Sequence, residues 1–513
     1  MKHDVGRVLS LVIAGCSSIA LFATAGCKSD SGTGSSGSGE TSTPTPAPTP
    51  TPTPPSANMP PLPLSVGARV MAFCDSHSSF NNFVADNALS STEKGLLEAA
   101  WQSDPRFNFD SWYDPAAAVQ NGIYGSRLTG ANQGIDGEHL DGAVARLASI
   151  VAHAPEVAVV NCGTNSISSG DGGSAPASAS YVTGQLDRII ESFASNGAWV
   201  ILSTLYPRGD WPVGDARHQT VRDVNAWIRQ QTGRQGVAAV LDPYDDLAKP
   251  DGDGVRPELF AEGESGVHLN PAGVHLVKTK YLTPAIDQVI ASGTVFNQSP
   301  TTDNLLPAST YSLAGTNGQR SGAQTAGQVA TGWQLGMTRA GGGSTQVASK
   351  DDTDASLAKQ VITVSPGSTA AWDQTLLTFP RLALTPQQAA PGAWVRAYVL
   401  VDAAENAPTA HWSLTATLAN SSGTMTLQAI AGQLESPQFN SVELGQYPNP
   451  GRGTYWLATK PFRLPDDGNY ATLSLSVTGN FWTGGFQPGS SFRVAFSRPI
   501  VRLSDDPQPA WQR

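Results

Sequence analysis

Two stretches of this chain hold side chains able to do acyl chemistry, and they stand far apart. Ser76, Ser78 and Ser79 lie in "CDSHSSF", directly after a short apolar run. His268 lies in "AEGESGVHLNPAG", just ahead of a helix start. A serine hydroxyl is a poor nucleophile until a base within hydrogen-bond reach takes its proton, and imidazole suits that task near neutral pH. Ser76 and His268 are 192 positions apart, so only a closed fold brings them together. "GANQGIDGEHL" (130–140) and "CGTNSIS" (162–168) are two further polar stretches that lie between them. Taken singly each is an ordinary cap, turn or loop. Four in order, each at a strand end or in a connecting loop, point to a site.

The elements around them predict how they are positioned. "ARVMAFC" (68–74), "EVAVVNC" (156–162), "AWVILSTLY" (198–206) and "GVAAVLD" (236–242) are short apolar, β-branched runs. Between them, "LDGAVARLASIVAHA", "YVTGQLDRIIESFASN" and "RDVNAWIRQQTG" place apolar residues at helical spacing. Continuous apolar strands separated by amphipathic helices predict a parallel sheet covered on both faces. In such a sheet ligands sit beyond the carboxyl ends of the strands. The first run leads into "CDSHSSF", the second into "CGTNSIS", and "SGVHLNP" leads into the last helix, 271–292. Asn270 is placed to cap that helix and Pro271 suits its first turn.

This ordered set resembles the SGNH hydrolases, also called the GDSL esterase/lipase family, over residues 66 to 295. The resemblance implies a flavodoxin-like, three-layer α/β fold and serine-esterase chemistry with no cofactor. It selects Ser76 over Ser78 and Ser79 as nucleophile and makes His268, in "SGVHLNPAG", the base. It implies an oxyanion hole built from the Ser76 and Gly134 backbone N–H groups and the Asn165 side-chain amide. Asp75 would order the loop, and His77, His139 and His275 would lie at the rim or on helix surfaces. Two positions depart from the pattern. The family's acid, three residues before the histidine, is here Ser265, which leaves Glu264, Glu262 or Ser265 itself as the third member, or a Ser76–His268 dyad. Cys74 stands where the family has glycine, and the family's strand order would bring it near Cys162, which allows a disulfide.

The ends read differently. Lys2, His3 and Arg7 precede an apolar run from Val8 to Ala25, a secretory signal by charge and length. "FATAGC" before Cys27 resembles a bacterial lipobox, with Cys16 in "VIAGC" as the alternative, so residues 1–27 are expected to be a lipoprotein-type signal with lipid on Cys27. Residues 28–63 are a Gly/Ser and then Thr/Pro-rich linker whose 43–55 stretch alone would span roughly 40 Å as polyproline II. Residues 64–295 are expected to form the hydrolase domain that the resemblance implies.

From 296 to 513 helical periodicity disappears. Alternating runs such as "KQVITVS", "WVRAYVLVD", "HWSLTATLAN", "ATLSLSVTG" and "SFRVAFSRPIVRL" predict an all-β, jelly-roll-like sandwich. That domain holds seven of the twelve tryptophans, as sugar-stacking rings or as core. A net charge of −11 argues against nucleic acid, and Cys74 and Cys162 are too few for a zinc site. The expected protein is an exported, lipid-anchored serine esterase acting on an acylated polysaccharide or another ester, touching membrane only through its lipid. An O-acetyltransferase and a decayed carbohydrate-binding protein are the alternatives. Oligomeric state is not legible.

Overall fold

The computed structural model describes residues 59–79, 106, 132–135, 137–171, 175–260, 263–269, 271–354, 358–403, 410–432, 453–459, 462–483 and 489–504. The expected signal, Cys16, Cys27, most of the linker, Glu262, Asn270 and Trp511 lie outside them.

The first body is a five-stranded, all-parallel sheet. Its strands are β1 (Val70–Cys74), β2 (Asn132–Gly134), β3 (Val157–Asn161), β4 (Trp199–Ser203) and β5 (Val237–Leu241), in the order β2-β1-β3-β4-β5. This is the doubly wound, flavodoxin-like order, whose switch point falls between β1 and β3. Successive side chains go to opposite faces, and both faces are buried. Val70, Ala72, Val157, Val159 and Ile201 enter one apolar layer. Met71, Phe73, Ala158, Val160, Val200 and Leu202 enter the other.

The helices follow their sequence signals with instructive breaks. Ala179–Ser195 begins where the Ser178 hydroxyl accepts from Tyr181 N, and Ala216–Arg229 begins where Asp215 accepts from Arg217 N. The helix predicted over "LDGAVARLASIVAHA" is split at Arg146, which sits at φ −97°, ψ 1° between Leu140–Ala145 and Leu147–Val151. The predicted last helix is also not uniform. Pro271–Val277 and Thr283–Val289 flank a π-helical turn, Lys278–Leu282. Pro284 has no N–H to give the carbonyl four residues earlier, so the ladder widens just before it.

The second body is a β-sandwich. One sheet runs, in spatial order, Met425–Gly432, Ala410–Ala419, Thr472–Trp482, Trp372–Ala383, Val329–Ala340 and Asn317–Ser321. The facing sheet is centred on Trp394–Ala403, Phe492–Ser504 and Lys359–Ser365. Pairing is antiparallel except for Asn317–Ser321 on Val329–Ala340 and Thr325–Gly327 on Thr345–Asp351, which are parallel. The inner faces form one apolar core. Trp333 and Trp412 belong to that core, and Trp333 donates its indole N–H to Thr310 O. Trp456 is buried on the opposite face beside Tyr398 and Ile500, with Phe296 edge-on against it. Three of the tryptophans weighed as sugar platforms are therefore packing residues, while Trp394 is half-buried at a strand start.

Candidate active site

The site lies at the carboxyl ends of β1 and β3, on either side of the switch point. β1 ends at Cys74 with φ +126°, a backbone conformation that favours glycine. After β3 the chain turns through Gly163 at φ +123°. These two turns lead to Ser76 and Asn165 respectively. Cys74 and Cys162 are joined by a disulfide across the adjacent parallel strands, with their Cα atoms 5.6 Å apart. The bond ties the end of β1, two residues before Ser76, to the turn that follows β3 and leads to Asn165.

Ser76 opens a single helical turn, Ser76–Ser79. Asp75 is fully buried and its Oδ1 accepts from His77 N at 3.1 Å, so it orders the turn. Ser78 donates its hydroxyl to Phe73 O at 3.2 Å and is thereby committed to the backbone. The side chains of Ser79 and His275 lie outside the described part. His268 Nε2 stands 2.9 Å from Ser76 Oγ. This distance permits direct proton transfer between hydroxyl and imidazole.

His77 is not at a rim. It is buried, edge-on to the Tyr206 ring at 4.9 Å and tilted against the His268 ring at 5.5 Å. Its ring packs against one side of the His268 imidazole. Tyr206 is itself buried, which pushes its hydroxyl well above the ordinary phenol range. His139 is partly exposed and pairs through Nδ1 with Asp171 at 3.3 Å. Burial raises the Asp171 carboxyl, but hydrogen bonds from Ser166, Tyr181, the Asp141 N–H and His139 together hold it below the usual carboxylate range.

The structure also places the candidate third members. Glu264 turns its carboxylate to Lys249, Oε2 to Nζ at 2.7 Å, with its side chain 69% exposed. Ser265 is exposed on the same short turn, Gly263–Ser265. Glu264 is thus engaged at the surface and not at the imidazole. The glycines around it explain why sequence left the path open.

Gly134 ends β2 directly beside Cys74 in the parallel register. Asn165 is half-buried and donates through Nδ2 to Glu138 O at 3.1 Å. Sequence reasoning passed over the groups behind these two residues. Arg146 Nε and Nη2 hold the two Glu138 carboxylate oxygens, each at 2.6 Å, and Nη2 also reaches Gln133 O at 2.5 Å and Cys74 O at 3.2 Å. Burial raises the Glu138 carboxyl above its ordinary range, although the Arg146 hydrogen bonds and charge oppose this. A signal was present: Arg146 stands on the apolar stripe Leu140, Ala143, Leu147, Ile150, where a charge needs a partner.

The sheet order, with a serine and a histidine in hydrogen-bond contact beyond the carboxyl ends, defines an α/β serine-hydrolase-like site. Residues 98–276 match the GDSL-like Lipase/Acylhydrolase family model. That match takes in Gly134, Asn165 and His268 and begins after Ser76; it supports the coarse class of acylhydrolase domain. No curated protein matches the sequence.

Among solved structures, the chain is similar to a GDSL-like lipase from Bacteroides thetaiotaomicron, with 16% identity over 43% of this chain and 88% of that one, TM-score 0.28. It is also similar to an alpha/beta hydrolase enzyme from the metagenome of Lake Arreo, Spain, with 16% identity over 44% and 98%, TM-score 0.30. A third is the psychrotrophic esterase EstA from Pseudoalteromonas sp., with 15% identity over 42% and 95%, TM-score 0.25. Similarities this slight carry no residue roles across.

Proposed function

We propose that this protein is a serine esterase that removes acetyl or other short acyl groups from a glycan. The observation that carries the reading is the 2.9 Å contact between Ser76 Oγ and His268 Nε2. In this reading Ser76 Oγ attacks the ester carbonyl while His268 takes its proton, and the tetrahedral oxyanion rests on the Ser76 and Gly134 N–H groups and the Asn165 amide. Asn165 gives one N–H to Glu138 O and has a second to offer. His268 then passes its proton to the departing alcohol, leaving an acyl-serine. Water attacks that ester, again with His268 as base, releasing the acid and restoring Ser76. With Glu264 held by Lys249, the reading calls on Ser76 and His268 and not on the Glu264 carboxylate.

The glycan part of the proposal rests on the β-sandwich that follows the hydrolase body, an arrangement that resembles secreted polysaccharide esterases. Export and a lipid on Cys27 belong to the same proposal and rest on the amino-terminal sequence. Purified residues 58–513, assayed on p-nitrophenyl acetate and on acetylated polysaccharides with Ser76→Ala and His268→Ala as controls, test the reading. Turnover that vanishes in both variants is expected, with acetate released from at least one polysaccharide. Full activity in His268→Ala would overturn the catalytic assignment. Acyl transfer to an added glycan exceeding hydrolysis would make the enzyme a transferase, and glycan binding without turnover a binding module.

A further inference from the structure

Behind the three groups assigned to the oxyanion hole lies one ion pair that touches all three supporting segments. Arg146 lies where its helix is interrupted, with its guanidinium 4.6 Å from the centre of the Phe73 ring. Its Nη2 faces Gln133 O at 2.5 Å and Cys74 O at 3.2 Å. Gln133 O belongs to the same peptide group as the Gly134 N–H, and Cys74 O to the same peptide group as the Asp75 N–H, one residue before Ser76. Glu138 closes the set: its carboxylate clamps Arg146 through two bonds of 2.6 Å, and its own backbone carbonyl accepts from Asn165 Nδ2 at 3.1 Å. The pair is largely withdrawn from water, with side-chain exposures of 17% for Arg146 and 7% for Glu138.

We propose that the Arg146–Glu138 pair is a positioning element for the oxyanion hole. This inference rests on the esterase reading above. A guanidinium on the oxygen end of the Gln133–Gly134 peptide fixes the plane of that peptide and draws electron density toward the oxygen. The Gly134 N–H at the other end becomes a better-aimed and stronger donor. A planar fork held from behind by a bidentate carboxylate does this at low entropic cost, which a lysine ammonium does not. Through Glu138 O the same pair sets where the Asn165 amide stands. Preorganised donors act on the transition state, whose oxygen carries charge, far more than on the neutral ester. The pair should therefore act on kcat and leave KM nearly alone.

The experiment compares wild type with Arg146→Lys and Glu138→Gln on p-nitrophenyl acetate, well below the melting temperature of each variant. Inhibition by phenylboronic acid, which forms a tetrahedral anionic adduct on a nucleophilic serine, is measured alongside. Removing a whole oxyanion donor costs about 10²–10³ in kcat; misaligning two is expected to cost on the order of 10²-fold, with KM within about threefold and boronate affinity falling in step with kcat. Wild-type kcat and boronate affinity in both variants would overturn the proposal. So would losses confined to melting temperature or KM, which would make the pair a brace of the fold alone. If wild type itself has no turnover that depends on Ser76, it is the esterase reading that fails.

Discussion

The turn carrying His268 leans on a glycine from another part of the chain, and that contact sets up a sharp test. Gly209, in the segment after β4, donates its N–H to Gly266 O at 3.0 Å. A Cβ built on Gly209 would lie 1.8 Å from Glu264 O, 2.7 Å from Glu264 C and 2.8 Å from Ser265 C. These are backbone atoms, so no side-chain rotation relieves the clash. Real Cβ atoms essentially never come within 3.0 Å of such a neighbour, so Gly209→Ala demands a separation of at least 1.2 Å.

The Gly209 side is the more firmly held: neighbouring Trp211 is 1% exposed and lies beneath the Arg208 guanidinium. The exposed 263–266 turn is expected to move. If half of the shift reaches His268 two residues on, the 2.9 Å bond to Ser76 opens to about 3.5 Å, the limit of a useful hydrogen bond. Misplacement of this size costs on the order of 10²-fold in rate, or about 2.7 kcal/mol in the barrier. The assay is kcat/KM on p-nitrophenyl acetate with melting temperature measured alongside, and Gly184→Ala as control. Gly184 is interior to the Ala179–Ser195 helix and has nothing within 4 Å of its Cβ direction, so alanine there should raise stability by about 0.5–1 kcal/mol and leave turnover unchanged. A Gly209→Ala enzyme within threefold of wild type at an unchanged melting temperature would refute the reasoning.

Three further outcomes follow from the same geometry. The Cys74–Cys162 disulfide spans 88 residues of separation, and removing it as Cys74→Ala/Cys162→Ala is expected to cost about 2–4 kcal/mol in urea unfolding. Cys74→Gly/Cys162→Ala should lose about 1 kcal/mol less, because glycine accepts φ +126°; equal losses would remove that argument. Hydrogen bonding by the Arg217 side chain and backbone holds the Asp215 carboxyl down to about 2. Its folded pKa is depressed, so its contribution is full above the ordinary carboxylate pKa and fades as pH falls toward 2. The melting-temperature gap between wild type and Asp215→Asn, which keeps a capping side chain, should therefore shrink from about pH 5 to about pH 2; a constant gap contradicts this. Finally, Glu264 forms an exposed pair with Lys249, a kind of contact worth about 0–1 kcal/mol, so Glu264→Gln should keep kcat/KM within about twofold. A tenfold loss would return the acid's role to Glu264.

The fold was readable where periodicity was strong. The four apolar runs became β1, β3, β4 and β5 within a residue or two for three of them, because strands buried on both faces leave an unbroken apolar signature. β2 escaped because "NQG" has three residues, none with high strand propensity; only its neighbour β1 makes it a strand. The helix breaks at Arg146 and before Pro284 came from side-chain partners and a missing donor, which a 3.6-residue pattern does not register. Of the site, residue types were legible for Ser76, Asn165 and His268, with strand-end positions for the first two and a helix entry for the third. The expected position of His77 at the rim or on a helix surface differs from the structure, where its ring is buried against Tyr206 and His268. The Arg146–Glu138 pair was missed because both residues lie in what reads as one ordinary amphipathic helix and its approach.

The separation of Ser76 and His268 has a kinetic consequence. One follows the first strand of a parallel sheet and the other enters the last helices, so their contact closes a loop of 192 residues. Contacts this distant in sequence are slow to form and late to be rewarded. In a chain emerging from synthesis, Ser76 is present long before His268, the base proposed to activate it. On the proposed mechanism the half-made molecule is chemically silent, and recovery of ester cleavage after dilution from denaturant should lag the return of helical circular dichroism.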